Sequence, residues 1–329
     1  MTKSTLLKII KLTLLILGIV LLLILVVKSD LKEIKKVFVE AKVIFLISGL
    51  SVYLLLTLTR ALKWYLLIRT AEIKLKYRNF LPFYFINFLM GNITPFKSGE
   101  ALTPFLFNKY FKLPAGQGFS IVILDRFFEL IIFTIILFLS TFYVIGSNIE
   151  NNLIISIFQG IFIGLFIIII LLIIVIFSRK TTQKIFSLFN SFKRFLFLKK
   201  ILNFIEKEIN LFYEGLKIFK NKKVFRFMIP LTIICWFLEF FSFYAIFRSV
   251  MSVSFLKIAV AQTISMAATF ISFVPGGIGV GEFGTVYILN SFGYSTILST
   301  AGALLARLIL TGTLMVLGIL SVLFLKEKK

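Results

Sequence analysis

The chain has 329 residues, of which 59% are hydrophobic, and its mean hydropathy is +1.03. It carries 37 Lys and Arg against 14 Asp and Glu, but this charge lies mostly in loops between apolar runs, so the expected anionic partner is the membrane surface and not nucleic acid. Histidine is absent and Cys235 is the single cysteine, which excludes an intrachain disulfide and argues against His-ligated metals and His-based catalysis.

Six apolar runs are long enough to cross about 30 Å of hydrocarbon, and they predict helices because lipid offers backbone groups no other partner. They cover residues 6–27, 43–66, 117–143, 153–177, 228–247 and 296–325. The first run has a basic flank like a signal peptide but lacks a small-x-small cleavage site, so it is predicted to be a retained span. The predicted class is an all-α polytopic membrane protein with one membrane domain over residues 1–329.

Two further apolar stretches, residues 80–107 and 258–292, are each interrupted by a polar segment. The first segment reads GNITPFKSGEALTP and the second reads FVPGGIGVGEFG. Proline removes a backbone donor and glycine loosens a helix, so each stretch predicts a broken-helix hairpin. Such a hairpin is either re-entrant or built from two short crossings.

The basic residues predict the orientation of the chain. Residues 178–227 hold thirteen Lys and Arg against three Glu, whereas GSNIENN at 146–152 has no basic residue, so the first loop is expected in the cytoplasm. With both hairpins returning to the side that they entered from, both termini are expected to be cytoplasmic, in the plasma membrane.

Within this basic loop, apolar residues recur at steps of three and four, which predicts an amphipathic helix at the membrane surface. They are Leu202, Ile205, Ile209, Phe212, Leu216 and Phe219. A helix packed on the bundle with lysines near anionic headgroups is the simpler interpretation, and a specific lipid or protein docking site is the alternative.

The two broken stretches repeat the same landmarks in the same order. Pro95 is followed by Gly99 and Glu100, as Pro275 is followed by Gly281 and Glu282. An arginine then follows each glutamate after 26 and 25 residues, at Arg126 and Arg307. Residues 43–143 and 228–325 therefore predict an inverted-topology repeat of span, hairpin and span.

Inverted repeats with discontinuous helices place binding sites near the midplane of the membrane, and the N-terminus of a half-helix suits anionic groups such as phosphate. The repeat therefore favours a transporter. The alternative interpretation is that both glycine-rich breaks only allow helices to pack closely.

The segment ILDRFFELII places Asp125, Arg126 and Glu129 in the middle of a span. At roughly 2.5 to 3.5 kcal/mol each, lipid-facing charges would prevent stable insertion, so they are expected to face the bundle or water. Arg126 can form a structural ion pair with Glu129 at a spacing of three, which leaves Asp125 without a predicted partner. Arg60 and Arg248 near span ends are expected to snorkel to the interface.

Three further carboxylates lie at or near the predicted polar path: Glu100 and Glu282 at the breaks, and Glu239 within a span. Each of the first two either caps a half-helix N-terminus, accepts a proton, or pairs with Arg126 or Arg307. The other candidate path residues are phosphate-binding Lys97 and Arg307, hydrogen-bonding Asn92, and the backbone-exposing Pro275, Gly276, Gly277 and Gly279.

The motifs TPFKSGEAL, LDRFFELI and FVPGGIGVGEFG, in this order, resemble the flippase-like family also called the lysylphosphatidylglycerol synthase transmembrane region, over about residues 10–325. The resemblance implies paired re-entrant helices around a lipid-sized cavity. It also implies movement of aminoacylated phospholipid between leaflets, or association with glycosyltransferases that act on lipid-linked sugars.

Three departures from the family pattern bear on function. Lys97 and Thr103 stand where the family tends to have arginine, and Asp125 and Glu129 reverse the common order of the acidic residues. The sequence ends at Lys329 without the soluble transferase domain of a full lysyl-phospholipid synthase. We therefore expect no enzyme activity, no cofactor and no metal.

The leading hypothesis is a translocase for phospholipid or lipid-linked glycan, with the headgroup passing between the two hairpins. Lys97, Arg126 and Arg307 would bind phosphate, while Glu100 and Glu282 would orient these cations or exchange protons. The alternative is a non-transporting subunit that supports a glycosyltransferase or lipid-modifying enzyme through its basic loop. A transferase in its own right is disfavoured by the absence of histidine, of a nucleotide-binding glycine loop and of a metal-spaced acidic pair.

Overall fold

A computed structural model describes residues 31–71, 75–147, 152–178, 210–217, 222–272 and 274–326, with single residues at 20, 23, 24, 27 and 73. Within these ranges only the backbone is described for residues 93, 95–98, 152–159, 161, 177, 222, 223, 271, 325 and 326. The described residues are helical between short turns and contain no β-strand. The all-α class is therefore confirmed.

The helices are numbered in chain order. They are α1 Leu31–Glu40, α2 Val43–Arg69, α3 Tyr77–Ile93, α4 Thr103–Phe111, α5 Ala115–Gly146, α6 Asn152–Phe177, α7 Lys222–Arg248, α8 Phe255–Ser272, α9 Val280–Ser291, α10 Thr296–Ala306 and α11 Gly312–Lys326. Short 3-10 segments, Pro95–Leu102 and Pro275–Gly277, lie between α3 and α4 and between α8 and α9. A π-helical turn, Arg307–Thr311, joins α10 to α11.

Within the described residues, four helical stretches are long and apolar enough to cross a membrane. They are Val43–Arg69, Ala115–Gly146, Val224–Arg248 and Thr296–Phe324. Helix α6 has 26 residues, or about 39 Å at 1.5 Å per residue, and corresponds to the predicted span 153–177. The chain is thus a multi-pass integral membrane protein. The predicted span 6–27 lies almost wholly outside the described residues.

Both interrupted stretches break where the sequence predicts. The first runs α3, 3-10 segment, α4, and the second runs α8, 3-10 segment, α9. Each 3-10 segment begins with a proline, which tolerates the first turn of a helix because its missing N–H would have no partner there. Each stretch is therefore a pair of half-helices.

The first spans of the two predicted repeats, α2 and α7, pack against each other in antiparallel orientation. At one end the Lys42 N–H donates to the Ser249 carbonyl at 2.9 Å, and farther along Gly49 lies against Ile246. The first half-helix of each hairpin packs on the other half, α3 on α11 and α8 on α5, whereas the second half-helix packs on its own half, α4 on α5 and α9 on α10. These pairings relate equivalent helices of the two predicted repeats, while the inverted topology and the crossing directions stay predictions.

Two clusters of buried apolar residues support this arrangement. One surrounds Trp64 and includes Phe80 and Phe107 of the first hairpin. The other surrounds Trp236, whose ring stacks on Phe133 with centroids 5.0 Å apart, and includes residues of the second hairpin. Each hairpin is thus held by its own core.

The predicted amphipathic helix in the basic loop is described only over residues 210–217. Residues 210–216 are helical, with Phe212 and Leu216 buried and Glu214 exposed, as the pattern predicts. The Tyr213 hydroxyl donates to the Val175 carbonyl at 2.7 Å, which fixes this turn to the end of α6. Its other predicted apolar positions, Leu202, Ile205, Ile209 and Phe219, lie outside the described residues.

Candidate functional site

Arg307 fastens the break in the second hairpin. Its guanidinium donates to the carbonyls of Gly276 at 2.9 Å and Gly277 at 3.2 Å, and it forms an ion pair with Glu282. The two carbonyls are available because the backbone turns through positive φ at Gly276, Gly277 and Gly279. A planar guanidinium can serve several acceptors in one plane, so this contact set depends on arginine.

Glu282 has two partners at once. Its second oxygen accepts the Gly279 N–H at 2.8 Å and so caps the N-terminus of α9, while the first meets Arg307. The side chain is buried. Of the roles that the sequence left open for Glu282, the structure shows capping and pairing together.

Glu100 and Arg126 form the corresponding pair in the first half, with Arg126 Nη2 at 3.2 Å from Glu100 Oε2. Here the guanidinium contacts side chains: Nη2 also lies 3.1 Å from Asp125, and Nη1 lies 3.0 Å from Glu129. The predicted Arg126–Glu129 pair is confirmed, and among the described helices Glu100 pairs with a cation and caps none through its side chain.

The expectation that Asp125 is left over was wrong. Lys63 of α2 lies 2.8 Å from Asp125 and 2.9 Å from Glu129, and the side chains of Lys63 and Asp125 are fully buried. Lys63 was not among the predicted site residues, because the span was predicted to end at Leu66, which put this lysine close to the interface. Helix α2 continues to Arg69, so Lys63 lies deeper than expected.

Arg60 also departs from its prediction. It does not snorkel to the interface but forms a nearly buried ion pair with Glu239 of α7, and its guanidinium lies 5.8 Å from the centre of the Phe88 ring. This pair joins the first spans of the two halves. Arg248, by contrast, lies at the end of α7 as expected, over the Phe45 ring at 5.6 Å.

A cavity of about 210 Å³ lies between the two halves. Its charged walls are Arg60, Glu129, Glu239, Glu282 and Arg307. A smaller cavity of about 20 Å³, lined by Arg60, Glu100, Arg126 and Glu129, adjoins it and shares Arg60 and Glu129. Charged side chains of both halves therefore line one continuous polar region, formed by the two cavities.

The breaks of the two hairpins meet at this cavity. A Cβ at Gly276 would lie 3.1 Å from the Asn92 carbonyl, so glycine allows the two backbones to approach. Asn92 lines the cavity, with its amide donating to the Phe88 carbonyl at 2.8 Å. Pro275 begins the second break and is half-buried, without lining the cavity.

One polar face of α8 also lines the cavity and was missed. Gln262, Ser265 and Thr269 are spaced by three and four residues, and such a polar stripe in an apolar helix is the signal that could have found them. Gln262 donates to Thr285 of α9 at 3.2 Å, and the Ser265 hydroxyl donates to the Gly281 carbonyl at 2.5 Å. These bonds tie the two half-helices together.

Two positions of the first break have different outcomes. The side chain of Lys97 lies outside the described residues, so its phosphate-binding role stays a prediction. Thr103 is buried, and its hydroxyl contacts the Asn87 amide oxygen. A small side chain at Thr103 thus fits a buried position between α3 and α4.

The charged groups of this region comprise four cations and five carboxylates among the described residues. They are Arg60, Lys63, Arg126 and Arg307, with Glu100, Asp125, Glu129, Glu239 and Glu282. Within the part of the chain that the structure describes, no group of three or more His, Cys, Asp or Glu side chains is arranged to hold a metal ion. The arrangement can bind polar groups of either sign inside a membrane.

Comparison with known proteins gives one family and several relatives. The protein family described as the lysylphosphatidylglycerol synthase TM region matches residues 9–318 of this chain. A UPF0104 membrane protein of Pyrococcus horikoshii is 26% identical, over 97% of this chain and 98% of its own. A UPF0104 membrane protein of Methanocaldococcus jannaschii is 24% identical, over 99% of this chain and 96% of its own. No solved structure matches the chain.

Proposed function

Since the chain belongs to the lysylphosphatidylglycerol synthase TM region family, we propose that it moves the polar headgroup of a phospholipid or lipid-linked sugar across the membrane. The observation that carries the proposal is the charged cavity between the two broken hairpins of a multi-pass membrane protein. Ionisable groups inside a membrane are costly and typically mark a substrate path. The proposal places the protein in the plasma membrane with both termini in the cytoplasm.

The size of the cavity decides which part of a lipid can enter. At about 210 Å³ it is smaller than the roughly 300–1,000 Å³ typical of small-molecule sites, so it has room for a phosphate and its water but not for acyl chains. The chains would remain in the bilayer, against the exposed apolar faces of the spans. No covalent chemistry is required of the protein.

The cations differ in how free they are to bind a phosphate. Arg307 is held by two carbonyls and Glu282, so its role in the proposal is to hold the hairpin break open to the cavity. The Nε atoms of Arg60 and Arg126 are buried and have no hydrogen-bond acceptor among the described residues. A phosphate oxygen would satisfy such donors. Arg60 lines the 210 Å³ cavity and is the proposed headgroup ligand, while Arg126 lines only the adjoining 20 Å³ space and would reach a phosphate oxygen after its carboxylate contacts rearrange.

The Arg60–Glu239 pair gives the path a closing contact. It joins α2 to α7, and both residues line the cavity. A headgroup that takes Arg60 as its partner would displace Glu239, and so would separate the two halves at this point. Glu239 would then re-pair with Arg60 after the headgroup leaves.

Reconstitution tests this function. Purified protein is placed in vesicles that contain a phosphatidylglycerol with a fluorescent acyl chain, and a membrane-impermeant reductant reports exchange between leaflets. A parallel set carries a labelled lipid-linked sugar. We expect at least one lipid to move about tenfold faster than in empty vesicles, and Arg60→Gln to remove most of this rate.

Arg69→Gln is the matched control, because Arg69 lies at the end of the same helix over the Tyr65 ring, away from the cavity. It should leave the rate unchanged. Movement of neither lipid above the empty-vesicle rate would contradict the proposal. The alternative of a docking subunit predicts the opposite pattern in cells, with Arg60→Gln tolerated and lysine replacements in residues 199–223 harmful.

A further inference from the structure

A second pocket, of about 430 Å³, lies at one end of the helix bundle. Four helices begin or end there: α1 at Glu40, α2 directly after Lys42, α7 at Arg248, and α10 within two residues of Leu298. Spans end where the hydrocarbon ends, so this pocket lies at the level of the lipid headgroups. Its volume is within the usual range for ligand sites.

Two cations line the pocket, and one of them is already oriented. The Arg248 guanidinium lies over the Phe45 ring, 5.6 Å from its centre, and donates to the Ser252 hydroxyl at 3.3 Å. Lys42 is exposed, and its backbone N–H is bonded to the Ser249 carbonyl, which fixes the two cationic positions relative to each other. Both are available to an anion.

One carboxylate, Glu40, also lines the pocket, so the balance of charge is important. Glu40 has a partner outside it, because Lys36 lies 3.9 Å away on the preceding turn of α1. The pocket therefore keeps a net positive charge. An arginine and a lysine together are suited to phosphate, which accepts several charge-assisted hydrogen bonds.

An apolar surface begins directly beside these cations. Val43, Ile44 and Ile47 of α2 are 63%, 70% and 55% exposed, and they follow Lys42 along the helix. In a membrane this surface contacts acyl chains. A phosphate in the pocket with chains along α2 is the arrangement of a glycerophospholipid, whereas a free ion would use only the pocket.

The pocket is separate from the central cavity. Glu239 and Arg248 are nine positions apart on α7, and Phe45 and Arg60 are fifteen positions apart on α2, which corresponds to about 14–22 Å at 1.5 Å per residue. The two cavities share no lining residue. A ligand here would not compete with one bound between the hairpins.

We propose that the pocket between α1, α2, α7 and α10 binds the phosphate of a membrane glycerophospholipid, held by Arg248 and Lys42. This binding does not depend on translocation, and so it stands or falls independently of the proposed function. It gives the protein a bound lipid at the membrane surface, about 14–22 Å along α2 and α7 from the Arg60–Glu239 pair.

Native mass spectrometry of the purified full chain tests the site with short-chain phosphatidylglycerol, short-chain diacylglycerol and inorganic phosphate as probes. We expect phosphatidylglycerol to bind, and Lys42→Gln/Arg248→Gln to weaken one binding event about tenfold or more. Lys257→Gln is the matched control, because Lys257 contacts the Phe292 and Tyr294 rings outside the pocket. Glu282→Gln, in the central cavity, should keep this binding event.

Three results would overturn the proposal. They are equal lipid binding by the double variant, equal competition by diacylglycerol that lacks the phosphate, and competition by inorganic phosphate as strong as that by the lipid, which would indicate an ion site. Helical content by circular dichroism checks that the double variant is folded. If it is not, Arg248→Lys replaces it, and it should weaken binding by a smaller factor while keeping selectivity for the phosphate.

Discussion

The two halves of the molecule each pair an arginine with a glutamate, but the other partners of the two arginines differ. Each places an arginine of its last span against a glutamate of its broken hairpin, Arg126 with Glu100 and Arg307 with Glu282. Arg307 then binds backbone carbonyls, whereas Arg126 binds further side chains. The second half therefore has a clamp built into its backbone, and the first half has a network of side-chain charges.

This difference indicates which half can rearrange. Separating Arg307 from its partners leaves the Gly276 and Gly277 carbonyls without the guanidinium donor inside the helix bundle, which is costly. Arg126 shares Glu129 with Lys63, so its contacts can be exchanged among neighbours with little change in the number of ion pairs. The first half is thus the part expected to respond to a headgroup, while the second keeps its shape.

The largest effect should come from Lys63, at the centre of the side-chain network. Lys63→Met leaves Asp125 and Glu129 with Arg126 as their shared cation, and uncompensated buried charge typically costs about 3–5 kcal/mol. Denaturant unfolding in detergent micelles measures this loss. Adding Asp125→Leu should recover part of it, because the double variant removes the pair together. A loss below about 1 kcal/mol for Lys63→Met would show that the network is not structural.

A substitution at a backbone position of the second break should destabilise the protein. Gly277 has φ of +61°, and a Cβ there would contact the Thr269 side chain, so Gly277→Ala combines strain with overlap. We expect a loss of about 3 kcal/mol in the same unfolding measurement. Gly293→Ala is the control, because φ is +83° but the space beside it is open, and strain alone should cost about 1 kcal/mol. Equal losses would contradict the packing argument.

A smaller difference in stability should distinguish the roles of Arg307 and Arg126. Lysine offers a compact charge where Arg307 donates to the Gly276 and Gly277 carbonyls and to Glu282, so Arg307→Lys should cost about 2 kcal/mol. Arg126→Lys keeps a charge among three carboxylates and should cost about 1 kcal/mol or less. Unfolding of both variants under matched conditions measures these losses. A larger loss for Arg126→Lys than for Arg307→Lys would contradict the distinction between the backbone clamp and the side-chain network.

The sequence predicts the parts of this fold that depend on local chemistry. Proline and glycine in apolar stretches predict both hairpins, and the similar spacing from Glu100 to Arg126 and from Glu282 to Arg307 makes pairing one of the three roles predicted for the glutamates. Lys63 was missed because its depth depends on where α2 ends. The Arg60–Glu239 pair was missed because it joins residues 179 positions apart, and only the packing of α2 on α7 brings them together.

The central claim is that a headgroup passes through the cavity between the hairpins, and cysteine blocking tests it most directly. In a Cys235→Ala background, Met266→Cys places a thiol on the cavity wall, while Leu308→Cys places one on the exposed outer surface beside Arg307. Each is modified to completion in detergent, checked by mass, with a small membrane-permeant thiol reagent before reconstitution and the leaflet-exchange assay. The account predicts that modification at Met266→Cys stops lipid movement and that modification at Leu308→Cys does not. Unchanged movement through a fully modified Met266→Cys protein would contradict it.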